Sequence, residues 1–299
     1  MKWLALVMAV AGATPARAQT ATQLPRRDTL GTPETSSAPN DTMTDGFLAR
    51  VRAATERYRD RGQASLDGYR PIGGDFPGMG EHWINIGTLF ADRFTPAQPP
   101  ILEYATIDGR PTLVGVAYAL PLLAGEMPPA FPANAAWHEH SGTIESESDL
   151  LSQTMPSHGS MQGARLAMLH VWAWLPNPAG AYRSDNWALP FVRAGLVPPA
   201  GDPGAVAGRA LALLSGGDTF YEQVFLDVAN SSPSDSMTIH RALIAARTAA
   251  ATWVDRNRHG VVTPEALDQL RSLWTEMWST LDSSLSPGAR VRLRALRDR

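Results

Sequence analysis

The sequence predicts an α+β protein in which a mostly antiparallel β domain is followed by a helical C-terminal subdomain. Short apolar runs separated by Pro and Gly fill residues 68–195, a pattern typical of strands joined by turns. From Asp202 onward the apolar residues recur every three to four positions, which indicates helices. The pattern leaves open whether the sheet closes into a barrel.

The clearest strand signal is a hairpin. Two apolar segments, 101–107 and 112–119, flank the turn Asp108-Gly109, a dipeptide that favours tight turns between antiparallel strands. Further strands are predicted over 83–86, 137–140 and 167–174. In the last of these, alternation predicts one shared face for the following side chains: Met168, His170, Trp172 and Trp174.

The C-terminal helices are predicted from repeated start signals. A residue that can cap a helix precedes proline four times, and proline suits the first helical position. These capping residues are Asp202, Ser232, Thr263 and Ser286. We therefore expect a helical subdomain over 201–299 with a long antiparallel helix hairpin over about 233–284, whose tryptophans belong to its core.

The segments before residue 201 are predicted to differ in character. Residues 1–18 are interpreted as a signal peptide, and 19–44 as a disordered linker because they are polar and rich in Thr, Pro and Ser. A helix with Asp45 as its N-cap is expected over 45–62, ending at Gly62. The β domain is expected over 63–200.

The predicted signal peptide points to export. Lys2 precedes an apolar run over 3–13, and Ala16-Arg17-Ala18 forms a small-x-small cleavage pattern. A periplasmic or extracellular protein is therefore expected, soluble after cleavage and not integral to a membrane. The chain has no Cys, which excludes disulfides, thiolate ligands and cysteine nucleophiles. A net charge of −3 without a basic block argues against a nucleic-acid partner.

Histidines concentrate in the predicted β domain. Five of the seven lie between residues 82 and 170, in a chain without thiolates. On an extended strand His138 and His140 face the same side and can bind one metal ion. Glu145 is predicted to supply an oxygen ligand and His170, on a later strand, a third nitrogen. His82, beside Trp83 at a strand end, is a further candidate.

The spacing His138-x-His140-x4-Glu145, followed by His170, resembles the cupin metal motif, although the flanking glycines and the Pro-x-Gly before the last histidine are missing. The resemblance covers about residues 138–170. It implies a mononuclear metalloenzyme in which Glu139 or Glu145 acts as acid or base beside the ion.

Three segments resemble an uncharacterised family of exported bacterial proteins over about residues 70–190. They are Met79-Gly80-Glu81-His82, Val114-Gly115-Val116-Ala117-Tyr118 and the segment from His170 to Gly180, His-Val-Trp-Ala-Trp-Leu-Pro-Asn-Pro-Ala-Gly. The resemblance implies site roles for His82 and His170 and implies no reaction.

These observations favour an exported protein that binds a divalent or copper ion (Zn, Cu, Fe or Mn) through a histidine cluster, with a metal ion or small molecule as its partner. Met155, His158 and Met161 share a loop and combine thioether with imidazole donors, which suit Cu(I), although a chance combination in so short a segment is the favoured interpretation. Two alternatives stay open: the cupin-like enzyme, and an interaction protein that binds no metal.

Overall fold

A computed structural model describes residues 41–89, 91, 94–122, 125–130, 132, 135–140, 165–214, 225, 232–258 and 260–297. The predicted signal peptide and the predicted linker up to residue 40 lie outside these residues. So do Glu145 and the loop that contains Met155, His158 and Met161.

The first helical segment begins earlier than expected and is interrupted. Helix α1 spans Asp41–Thr55, a 3-10 turn follows over Glu56–Arg59, and α2 spans Arg61–Leu66. The expectation of one helix ending at Gly62 is wrong. Asp60 leaves the helical conformation, and its side chain caps α2 by accepting a hydrogen bond from the backbone N–H of Gly62.

Six strands form one antiparallel sheet. They are β1 (Arg70–Phe76), β2 (Gly80–Ile84), β3 (Ile101–Ile107), β4 (Arg110–Leu122), β5 (His138–His140) and β6 (Arg165–Val171). Their order in the sheet is β1-β2-β3-β4-β6-β5, and β1 and β5 form its two edges. The described strands therefore build an open sheet and not a barrel. The strand predicted over 83–86 ends at Ile84, and a short helix, α3 (Ile86–Leu89), follows it.

The predicted hairpin of β3 and β4 is confirmed, with Ile107 opposite Arg110. Asp108 and Gly109 both have positive φ angles, 49° and 72°, as a type I′ turn requires. The right-handed twist of such a turn matches that of the two strands, so the turn fixes the initial register of the pair.

The two faces of the sheet are covered differently. One face carries Leu102, Tyr104, Val116 and Leu169 and packs against α1 through Phe47 and its neighbours. The other face carries two smaller apolar clusters. The first cluster includes Ile84, Ile101, Ala117 and Met168, and the second includes Ala105, Val114, Trp172 and Leu189.

The tryptophans after β6 lie on opposite sides of the sheet. The strand predicted over 167–174 ends at Val171, so the alternation that should place Trp172 and Trp174 on one face stops there. Trp172 packs with Leu189, whereas the indole N–H of Trp174 donates to Thr55 Oγ1 at 3.0 Å on the other side.

The C-terminal helices are α4 (Leu189–Arg193), α5 (Ala205–Leu214), α6 (Pro233–Asn257), α7 (Pro264–Ser284) and α8 (Pro287–Arg297). As predicted, α6 and α7 pack together as a hairpin. The caps Ser232 and Thr263 accept hydrogen bonds from the backbone N–H groups of Asp235 and Ala266. Within the described residues, no helix is both long and apolar enough to cross a membrane.

One predicted helix start is wrong. Helix α5 begins at Ala205 and not at Pro203, because Asp202 Oδ1 accepts a hydrogen bond from the Gly204 N–H at 2.7 Å within a turn. Gly204 has a φ of +81°, a left-handed conformation that a right-handed helix does not contain.

The helical subdomain is joined to the sheet through α4. Arg193 forms a two-pronged ion pair with Asp75 of β1, with nitrogen–oxygen distances of 2.8 and 2.5 Å. Leu189 packs into the second apolar cluster of the sheet, beside Trp172. These contacts connect α4 to the same face of the sheet that carries Trp172.

Candidate metal centre

Three side chains from three strands meet on the face that carries the two smaller apolar clusters. His82 lies on β2, Glu103 on β3 and His170 on β6, and one ligating atom of each lies within 4.8 Å of the others. Their side chains are 2 %, 0 % and 0 % exposed. Glu103 lies on this face because its neighbours on the same side of β3, Ile101 and Ala105, belong to the two smaller apolar clusters. The three polar side chains therefore lie between these two clusters.

The register of the sheet explains how these residues meet. His82 and Glu103 are direct partners across β2 and β3, so their side chains are adjacent. His170 is not a neighbour of Glu103, because β4 lies between β3 and β6. The carboxylate must therefore cross β4 to reach the imidazole of His170.

Gly115 leaves the space through which the Glu103 carboxylate crosses β4. It is the residue opposite Glu103, and a Cβ atom built on it would overlap Oε2 of Glu103 and lie 3.1 Å from the carbonyl oxygen of Val171. Because glycine has no side chain, the carboxylate can lie against its backbone. This is the close approach that a glycine within a strand permits.

A bulge places this glycine opposite Glu103. The turn sets Tyr104 opposite Leu113, and the register then shifts so that Glu103 pairs with Gly115. Val114 is the extra residue, and its carbonyl oxygen accepts hydrogen bonds from the N–H groups of Trp174 and Leu175, at 3.2 and 2.9 Å. Without the bulge the partner of Glu103 would be the branched side chain of Val114.

One carboxylate oxygen faces both imidazoles. Oε1 of Glu103 lies 2.5 Å from Nδ1 of His170 and 3.8 Å from Nε2 of His82. The other oxygen, Oε2, is buried without a hydrogen-bond partner among the described residues. A buried carboxylate normally has its oxygens satisfied, so Oε2 indicates a partner that the described residues do not supply.

The environment of Glu103 disfavours its charged form. The pKa of Glu103 is raised to about 8: burial raises it most, His82 opposes the rise, and the exposed carboxylate of Asp185 adds to it. An anion in this position lacks the solvation that water would provide. A bound cation would supply the missing charge and stabilise the carboxylate.

The donor set fits a transition-metal ion. Two imidazole nitrogens and one carboxylate oxygen are ligands of zinc, iron, manganese and copper, whereas calcium and magnesium prefer oxygen alone. Donors that each lie about 2.0 to 2.2 Å from zinc are about 3.3 to 3.6 Å apart at tetrahedral angles. The three ligating atoms lie within 4.8 Å of one another, so small side-chain movements would bring them to that spacing. Three protein donors leave at least one coordination position to be filled.

Some of the predicted site residues lie close together and others lie farther apart. His82 and His170 come together, and their ring centres are 5.8 Å apart. His138 on β5 pairs with Met168 and stands beside His170, with ring centres 5.4 Å apart. The backbone of His140 pairs with Leu166, which lies four residues, about 13 Å, from His170 along β6.

The predicted grouping of His138, His140, Glu145 and His170 therefore stays a prediction. The side chains of Glu139 and His140, and all of Glu145, lie outside the described residues. Of this group the described residues bring together His138 and His170.

Glu103 was not among the site residues predicted from the sequence. Its signal was present: it is the one charged residue in the apolar strand Ile101-Leu102-Glu103-Tyr104-Ala105. A lone carboxylate in a strand buried on both faces requires a buried partner, and that requirement points to a site.

Comparisons of the chain with protein-family models, with curated proteins and with solved structures find no match. The two resemblances drawn from short motifs therefore stay predictions, and the functional argument depends on the geometry of the site.

Replacing Gly115 by Ala should displace the Glu103 carboxylate. We expect Gly115→Ala to lower the free energy of unfolding by about 1 to 3 kcal/mol, the usual cost of overpacking a core. The loss should shrink when Glu103 is also replaced by Ala, because the overlapping group is then gone. Urea unfolding of the four proteins of this double-mutant cycle measures the coupling.

Gly201→Ala is the matched control, since a Cβ atom there meets no atom within 4 Å. A Gly115→Ala cost that is the same with and without the Glu103 carboxylate would contradict the proposed path across β4.

Replacing Glu103 by Gln should stabilise the metal-free protein as the pH rises. Between pH 4.5, the ordinary pKa of a glutamate, and about 8, the unfolded wild type releases a proton that the folded protein keeps. Wild-type stability therefore falls as the pH rises through this window. Gln does not titrate, so its advantage should grow to the order of 2 to 4 kcal/mol at pH 8.

Urea unfolding in the presence of a chelator, at pH 5 and at pH 8, tests this expectation. Glu81→Gln is the control, because that carboxylate is half-buried and pairs with Arg61 at 3.4 Å. An advantage of Glu103→Gln that is constant or smaller at pH 8 would show that Glu103 is not a buried acid of raised pKa.

Proposed function

We propose that this chain is an exported protein that binds one transition-metal ion through His82, Glu103 and His170. The observation that carries the proposal is the convergence of these three side chains, from three strands, within 4.8 Å and away from solvent. Two nitrogen donors and one oxygen donor form a ligand set that transition metals bind.

A purely structural role for the cluster is the less favourable explanation. Burying a carboxylate costs several kcal/mol unless its charge and its lone pairs are satisfied, and an apolar side chain in the same place would stabilise the sheet better. The hydrogen bond to His170 satisfies one oxygen only, and Oε2 is buried without a partner in the described structure. A cation bound by Glu103 would offset the charge, and a cation bound by both carboxylate oxygens would also satisfy Oε2.

The class of metal follows from the donors. Because the chain has no Cys, sites that need thiolates are excluded. Hard ions such as calcium and magnesium require more oxygen ligands than Glu103 supplies. Zinc, iron, manganese and copper all accept two imidazoles and a carboxylate, so these are the ions that the site is expected to select among.

Export is supported by the N-terminal pattern alone. Lys2, the apolar run over 3–13 and Ala16-Arg17-Ala18 match the three parts of a signal peptide. The protein recovered from the periplasm or the medium should accordingly begin at Gln19.

Metal titration tests the binding proposal. The metal-stripped wild type should bind one equivalent of Zn²⁺ or Co²⁺. Each of His82→Ala, Glu103→Gln and His170→Ala should weaken binding by more than the roughly 10- to 100-fold that loss of an outer-sphere partner costs. Calorimetry measures the affinity, and far-ultraviolet circular dichroism checks that helix content is unchanged.

His240→Ala is the matched control, because His240 is exposed on α6, outside the sheet. It should bind the metal as the wild type does. A wild type that binds no ion, or site variants that bind like the wild type, would contradict the proposal.

A further inference from the structure

We infer that His138, carried by the edge strand β5, is the fourth protein ligand of the ion at His82, Glu103 and His170. The inference rests on the proposed function and adds a residue that does not belong to the group of three closely spaced side chains. The site would then contain three imidazole nitrogens and one carboxylate oxygen, from four strands.

Strand pairing places His138 on the face of the sheet that carries His170. His138 pairs with Met168, so it shares a face with Met168 and with His170, two residues further along β6. The preceding residue, Trp137, points to the opposite face, where it contacts the ring of Phe94 at 5.8 Å between centres. The alternation of Trp137 and His138 therefore anchors β5 on one face and presents an imidazole on the other.

Ring spacing agrees with a shared ion. With each nitrogen about 2.0 to 2.1 Å from a zinc-like ion, the ring centres of two bound imidazoles lie about 5 to 6 Å apart at near-tetrahedral angles. The ring centres of His138 and His170 are 5.4 Å apart, and those of His82 and His170 are 5.8 Å apart. Both separations fall in this range, with ring planes at 14° for His138 and His170 and at 89° for His82 and His170. Because the first pair is nearly parallel, binding of one ion by both rings also requires their planes to coincide or one ring to turn.

Burial distinguishes His138 from a surface histidine. The residue as a whole is half-buried, yet its Nε2 atom is shielded from solvent. The imidazole edge that carries Nε2 therefore faces the protein interior and the exposed part of the residue lies elsewhere. An inward-facing nitrogen beside a ligand histidine is placed to bind the same ion.

A fourth donor changes what the site can do. Three protein ligands leave a position open to water or substrate, whereas four complete the tetrahedral shell of a zinc-like ion. Among the described strands β5 pairs with β6 alone and contributes only three residues. Because His138 would be the fourth ligand, loss of its imidazole should open a coordination position and speed the release of the ion.

Cobalt substitution measures the ligand number directly, because four-coordinate Co²⁺ absorbs visible light far more strongly than five- or six-coordinate Co²⁺. Wild-type protein loaded with Co²⁺ should give the strong absorption of a four-coordinate ion. His138→Ala and the bulkier His138→Gln should still bind Co²⁺, with weaker absorption and faster loss of the ion to a chelator. Their affinity should fall by more than the roughly 10- to 100-fold that loss of an outer-sphere partner costs. His240→Ala is the control and should match the wild type.

The outcomes separate this inference from the proposal on which it rests. If both His138 variants keep the absorption, the affinity and the release rate of the wild type, His138 is not a ligand and the three-residue site stands. If the wild type itself binds neither Co²⁺ nor Zn²⁺, the metal site and its fourth ligand are both overturned.

Discussion

A carboxylate buried in the centre of the sheet is the constraint on which the rest of the site depends. Glu103 lies between Ile101 and Ala105 on β3, with no exposed side-chain surface. Placing an ionisable group among such neighbours costs several kcal/mol unless it is neutralised or paired. The pKa of Glu103 is raised to about 8, mainly because burial disfavours the charged carboxylate.

The backbone around Glu103 is arranged to accept the carboxylate. The bulge at Val114 brings Gly115 opposite Glu103, and the missing side chain of Gly115 lets the carboxylate cross β4 to His170. Both features weaken a sheet in general, since a bulge disrupts the ladder and glycine removes a packing side chain. Their occurrence at one position is explained by the site and has no evident structural benefit of its own.

Most elements that have local sequence signals were predicted correctly. Contacts that depend on the register between strands distant in the sequence were not. The turn at Asp108 and Gly109 predicted the hairpin, and the capping residues Ser232 and Thr263 predicted the starts of the long helices, because these signals act within a few residues. His82 and His170 were singled out as site residues from their neighbours in sequence. Glu103 was missed because its importance depends on β2 and β6, which carry His82 and His170 and approach it only in the folded sheet. The spacing of His138 and His140 suggested a shared ion, whereas pairing with β6 places His138 beside His170 and the backbone of His140 farther along β6, opposite Leu166.

The central claim is that one transition-metal ion binds at His82, Glu103 and His170. Anomalous diffraction at the zinc absorption edge, from crystals of the zinc-loaded protein, tests it most directly. The account predicts a single strong anomalous peak about 2.0 to 2.2 Å from a ring nitrogen of His82, a ring nitrogen of His170 and a carboxylate oxygen of Glu103. A peak confined to surface histidines such as His240, with none at Glu103, would contradict it.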